Sequence, residues 1–282
     1  MPDQVLTEEP LQFGEGGRLM GMLTQPAGPP SNARKLPVFV FLSAGSLHRV
    51  GPFRLHVCLA RELASMGFSS LRVDLSGNGD SPGRPGLTHQ QSVAADYEEI
   101  VSILDSRLGR LPLVLAGLCA GADNAIRLTP KEPRVVGMVL LDPICFLDDG
   151  FRARAVFMKY TNPAKYLAWL KYRFKTLANP LTAEEQPVDP LSLRDLPTRE
   201  QLRAAFESVR GREGRVLSVF TQYALQYYNR AGQLGRILDL EGYQQFCTEL
   251  FWPRVEHTYC LELHRRQLVD EIKTWAGGYI RP

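Results

Sequence analysis

The stretch Pro112–Ala125, "PLVLAGLCAGADNA", decides the fold. Its first half, "LPLVLAG", is an apolar run of the kind found in a strand buried on both faces. The run ends in a corner, Gly117-Leu118-Cys119-Ala120-Gly121, after which Ala120–Leu128 reads as a helix. Glycines two residues either side of a central residue suit a sharp strand-to-helix turn in which backbones pack closely. Cys119 stands at the tip of that turn. It reads either as a nucleophile or as a small apolar residue in a tight corner.

The pattern extends in both directions. Leu11–Glu15 and Arg18–Gln25 read as short strands around the turn "GEGG". "LPVFVFLSA" (Leu36–Ala44) is a continuous apolar strand. Pro52–Gly67 follows with Leu55, Leu59, Leu63 and Met66 on one helical stripe. "SSLRVDL" is the next strand. A Gly/Pro-rich loop then leads into a helix from Thr88 to Leu108, with Val93, Tyr97, Ile100, Val101 and Leu104 inward. "VVGMVLLD" is a further core strand. Strands alternating with helices through short connections predict a mostly parallel, doubly wound α/β sheet.

From Phe146 to Val209 no strand is evident, only helical stretches between Pro-rich turns such as "TNPAKY" and "QPVDP". "GRVLSVFTQ" resumes the strand pattern, "QFCTELFWP" is the last candidate strand, and Gln267–Trp275 is a closing amphipathic helix. The expected division is an α/β core, 1–145 and 211–282, with a helical cap inserted at 146–210.

Composition narrows the function classes. Of 282 residues, 44% are hydrophobic and 22% charged, which is ordinary for a globular chain. A formal net charge of +3 is too mild to imply nucleic-acid binding. The five cysteines are irregularly spaced, odd in number and lack a C-x-x-C pair, which argues against a zinc site or a disulfide framework. "MPDQVLTEEP" carries no secretory pattern, and no apolar run reaches the roughly 18 residues of a membrane span. The expectation is a cytoplasmic protein without a membrane span.

In a doubly wound sheet the ligand site lies beyond the C-terminal strand ends. Those ends are Ser43–Ser46, Asp74–Ser81, Cys119 and Asp142. The helix after Cys119 aims its positive end at the sulfur, an environment that favours thiolates. The Ala120 N–H and the Ser46 N–H, the latter in a turn at Gly45, form a candidate oxyanion hole. His257, in "VEHTY", stands between the last strand and the final helix, where a base from the distant end of the chain can reach Cys119.

Together these residues resemble the α/β-hydrolase superfamily, over roughly Leu11 to Ala276. "VDLSGNGDS" is similar to the D-x-x-G-x-G-x-S turn of many lipases, esterases and dehalogenases, with Asp74, Gly77, Gly79 and Ser81 in place. "LSAGSLHRVGPFRLHVCLARELASMGF", "LRVDLSGNGDS" and "GLCAGADNA" are similar to hydrolase-like proteins encoded with exosortase or polyketide gene clusters. Dienelactone hydrolases are a precedent for cysteine where serine is usual.

One position departs from the superfamily. The strand "VFTQYALQYYN" ends without the Asp or Glu that most relatives place there. Asp142, at the end of the preceding strand, is the first alternative for the triad acid. Asp123, Asp239, Glu241 and Glu256 are others. His48 and Trp169 are candidate pocket residues. Between Phe151 and Leu177 the cap carries Arg152, Arg154, Lys159, Lys165, Lys171, Arg173 and Lys175 and no acid, interleaved with aromatics. That block is either a solvated face or a docking surface for an acyl carrier protein, coenzyme A or an anionic membrane surface, with a carrier or thioester the preferred partner.

The resulting expectation is a Cys119–His257–Asp142 ester or thioester hydrolase. It would act on a small-molecule acyl substrate in the biosynthesis of a secondary metabolite or polysaccharide, with no metal or organic cofactor. An acyltransferase, cyclase or lyase and a non-catalytic scaffold are the alternatives.

Overall fold

The computed structural model describes residues 6–27, 35–43, 45, 47–161 and 194–280. Thr7–Phe13 (β1) and Leu19–Gln25 (β2) form an antiparallel pair at one edge. β1 begins before Leu11 because Pro10 is tolerated in an edge strand, where a missing N–H interrupts no second ladder. Val38–Leu42 (β3), Ser70–Asp74 (β4), Leu113–Leu118 (β5), Val135–Leu141 (β6), Arg215–Thr221 (β7) and Cys247–Trp252 (β8) complete one eight-stranded sheet. Its order is β1-β2-β4-β3-β5-β6-β7-β8, and every pair from β4 to β8 is parallel. Every residue of β3 and β5 is buried, which is why their sequences are apolar runs rather than alternating ones; β4 is buried as well, although Arg72 and Asp74 are charged, because Glu8 and Arg49 pair with them.

Helices cover both faces. Leu55–Ser65 (α1) and Glu262–Ala276 (α8, the last) pack on one face through Leu55, Leu59, Leu63, Leu268, Ile272 and Trp275. His89–Leu108 (α2), Ala120–Leu128 (α3) and Arg199–Gly211 (α5) cover the other. Phe151–Thr161 (α4), Gln233–Leu238 (α6) and Tyr243–Phe246 (α7) lie in the connections. α8 starts ahead of Gln267 because its first turn carries exposed side chains such as Leu263, so no apolar stripe marks it.

α5 lies in the range 146–210 apart from its last residue, Gly211, and packs on the face of the sheet that α3 covers. Thr198 and Gln201 cap it reciprocally. Leu202, Ala205, Phe206 and Val209 are fully buried against α3, β6 and β7. Each large apolar side chain buried there contributes about 1.5–3 kcal/mol. This helix is therefore part of what holds β6 and β7, and hence the loops at their ends, in place.

Candidate active site

The corner after β5 has the geometry its glycines predict. A Cβ on Gly121 would come within 2.6 Å of the Leu42 carbonyl oxygen, and one on Gly117 would strike the Gly121 backbone. Cys119 itself takes φ 56°, ψ −120°, a strained conformation for a residue with a side chain. Its N–H still donates to the Leu141 carbonyl at 2.8 Å, so the elbow is pinned to the β6 ladder. The side chain is half-buried at the start of α3. The first N–H groups of a helix have no intrahelical acceptor, and the Ala120 N–H is one of them. Ser46 and Trp169, expected in the oxyanion hole and the pocket, lie outside the described residues. So do Lys165, Lys171, Arg173 and Lys175 of the basic block.

Asp142 follows β6 directly, is fully buried and has φ 47°. The Thr221 N–H and hydroxyl each donate to its carboxylate at 2.6 Å. The His257 Nδ1–H donates to Oδ2 at 2.7 Å. These contacts span 79 and 115 residues of sequence. Among the described residues, Asp142 is the carboxylate that orients His257. Glu256 accepts instead from His264, Asp123 from Arg194, and Asp239 and Glu241 make no contact with His257.

With Nδ1 committed to Asp142, the other ring nitrogen, Nε2, is the one free to exchange a proton with sulfur. Burial works against a charged imidazole here. The contacts with Asp142 and with Cys119 outweigh it and push His257 up to about 9. The Tyr223 ring stacks on the imidazole at 4.1 Å and 23°. Tyr223 stands just after β7 and covers one face of the imidazole, while Asp142 meets its edge at Nδ1. Burial, followed by the neighbouring Cys119, raises the Tyr223 phenol.

Sequence reasoning missed Thr221, Tyr223, Tyr227 and Arg194. Only the first two had a visible signal, since they flank the end of a predicted strand. Arg194 Nε–H and Nη2–H donate to Asp123 Oδ2 at 3.0 and 2.6 Å, one helical turn beyond Cys119. Burial raises the Asp123 carboxyl, with Arg194 opposing.

His48, expected beside the pocket, is turned toward the loop after β4. It contacts Asp80 at 3.3 Å and approaches Asp74 at 3.6 Å. These three residues converge closely enough to suggest a metal site. The Arg49 guanidinium already bridges Asp74 and Asp80, so the carboxylates have their cation.

A mostly parallel eight-stranded sheet with helices on both faces and a nucleophile-type elbow after β5 defines an α/β-hydrolase fold. Residues 53–206, more than half of the chain, match the family described as serine aminopeptidase, S33, and the chain belongs to that family. An esterase of Pyrococcus furiosus shares 13% identity over 97% of this chain and 91% of its own, with a TM-score of 0.58. A proline iminopeptidase of Mycobacterium smegmatis shares 11% over 97% and 98%, with a TM-score of 0.59. A thioesterase domain from the curacin biosynthetic pathway shares 17% over 98% and 100%, with a TM-score of 0.51. These likenesses are of fold alone. No curated protein matches the chain. No helix among the described residues is long and apolar enough to cross a membrane.

Proposed function

We propose that this protein is a cysteine-dependent ester or thioester hydrolase acting through a covalent acyl-enzyme. The observation that carries the reading is the 2.7 Å contact of His257 with Asp142, with the Cys119 elbow beside the same ring. Nε2 of His257 takes the Cys119 proton or holds it as an ion pair. The sulfur attacks the acyl carbonyl, and the Ala120 N–H, with that of Ser46, receives the oxyanion. Collapse expels the leaving group, which His257 protonates. The same ring then activates the water that releases the acid. Asp142 fixes the ring and supports its charge, as the acid of a Ser-His-Asp triad does.

The wider assignment belongs to the same proposal. All five cysteines are free, which suits a reducing cytoplasm. A biosynthetic role and delivery of the acyl group by a carrier protein or coenzyme A follow from thioester chemistry. The curacin-pathway thioesterase is a precedent for that chemistry on this fold. The cap is proposed as the inserted block 146–210, with α5 its last helix, packed on the sheet.

The test is intact-mass measurement after mixing the protein with acyl thioesters, with and without an added amine. A Cys119-dependent acyl adduct that decays to free acid is expected. Release to the amine alone makes the protein an acyltransferase. Turnover unchanged in Cys119→Ala overturns the nucleophile assignment; the expected loss is on the order of 10⁴-fold or more.

A further inference from the structure

The end of β7 meets the His257 ring from two sides. Thr221 closes that strand and is fully buried. Its N–H donates to Asp142 Oδ1 and its hydroxyl to Asp142 Oδ2, each at 2.6 Å. Oδ2 is the same oxygen that accepts the His257 Nδ1–H at 2.7 Å. The Thr221 hydroxyl oxygen in turn accepts the Tyr223 N–H at 3.3 Å, at the start of the short turn Gln222–Gln226. The ring of that same Tyr223 stacks on the imidazole, its centroid 4.1 Å away. Between the two, the Gln222 N–H donates to the carbonyl of Val255, just ahead of His257 in the chain, at 2.9 Å. One hydroxyl therefore links the carboxylate at the edge of the imidazole to the residue whose ring covers its face.

Such a hydroxyl acts on direction and on charge. Donors on both oxygens stop the carboxylate from turning, so Nδ1 has one direction to point. A carboxylate oxygen that accepts two donors divides its charge between them, so the hydroxyl draws on the same negative charge that holds the imidazole proton. The other ionisable groups nearby leave that balance alone. Burial raises the phenols of Tyr223, Tyr227 and Tyr259, so all three stay neutral where His257 titrates. Arg194 is paired with Asp123, and Glu256 with His264. Asp142 and Cys119 are the groups that set the charge of the ring.

We propose that Thr221 is a positioning residue for His257: its hydroxyl orients Asp142 and Tyr223 together and tempers the hold of Asp142 on the Nδ1 proton. It acts through those two residues, not on the substrate. The inference rests on the acyl-enzyme reading above and deepens it by naming the group that sets its base.

The experiment follows the His257 imidazole by NMR titration in the substrate-free protein, its signal assigned by loss in His257→Gln. Beside it, kcat and KM are measured for the butyryl thioester of N-acetylcysteamine. Thr221→Val keeps the branched shape and the backbone N–H and removes only the hydroxyl. Oδ2 then serves His257 alone, and the Asp142 carboxylate stays aimed because Thr221 N–H still holds Oδ1. The His257 midpoint, about 9 in the wild type, is expected to rise by about one pH unit, the tenfold worth of one hydrogen bond to a charged group. In the same variant kcat is expected to fall about tenfold with KM within about twofold, because Asp142 and Tyr223 have lost their common anchor. Thr221→Ser, which keeps the hydroxyl, restores kcat to within about threefold and the midpoint to within about 0.3 pH unit. If Thr221→Val does not fold, Thr221→Ala makes the same comparison. A midpoint that stays put or moves down without the hydroxyl overturns the inference. So does a loss of kcat that serine does not recover, which would leave Thr221 a structural strand end. Intact mass separates the two levels. A Cys119 adduct together with an unmoved midpoint sinks this inference alone. No Cys119 adduct in the wild type sinks the acyl-enzyme reading and the role of Thr221 with it.

Discussion

Asp74 and Asp142 are near twins in position and differ in what they face. Each is fully buried at the C-terminal end of a parallel strand, β4 and β6. Each accepts a backbone N–H, from Asp80 at 3.1 Å and from Thr221 at 2.6 Å. Asp74 then takes the Arg49 guanidinium, whose charge never leaves at any ordinary pH. Asp142 takes His257, which can still lose its proton at an ordinary pH, at about 9. The first pair holds a loop shut. The second holds a proton carrier beside sulfur. A buried strand-end carboxylate is thus a structural or a chemical device according to its partner, not its own position.

The largest expected effect tests the Asp142 side. Asp142→Asn should lower kcat by about 10³–10⁴-fold while leaving the fold intact, because an amide misdirects the imidazole tautomer. A fall below about threefold, measured by thioester turnover, would move the acid role elsewhere. Asp74→Asn should do the opposite. It should lower stability by about 3 kcal/mol, the low end for breaking a buried ion pair because Asp80 still holds Arg49, with turnover of the folded fraction kept within threefold. Urea titration beside activity measurement distinguishes the two; equal kinetic losses in both variants would erase the comparison.

A pH series sharpens it further. His257 rises from 6.5 to about 9 on folding, so its stabilisation is complete below about pH 6.5 and is lost as pH climbs through about 9. The melting temperature should therefore drop across that window, and the upper limb of kcat/KM should fall there too. Asp142→Asn should flatten the first and shift the second to lower pH, while Asp74→Asn should leave both. The smallest effect is at the stacked ring. Tyr223→Ala removes an aromatic contact worth about 0.5–1.5 kcal/mol, so kcat/KM should fall by up to about tenfold.

Much of the site was legible in the chain before folding. Periodicity and glycine placement located the strands, the Cys119 elbow and the Asp142 strand end. They also placed His257 between the last strand and the last helix. Ordering several α/β units puts their loops at one edge of the sheet, which is a topological consequence of sequence. The choice among five carboxylates was not legible. It turns on Thr221 donating to Asp142 across 79 residues, and no local pattern records such a contact.

Sequence by itself determined the fold class, the residue at the elbow and the histidine that can reach it, because these follow from local period, local strain and chain order. Tertiary structure alone decided which acid meets that histidine, that Tyr223 walls the ring, and that Arg194 pairs with Asp123. These are matters of which distant side chains share a buried space. There, desolvation makes every hydrogen bond and charge count, and the sequence carries no coordinate for that space.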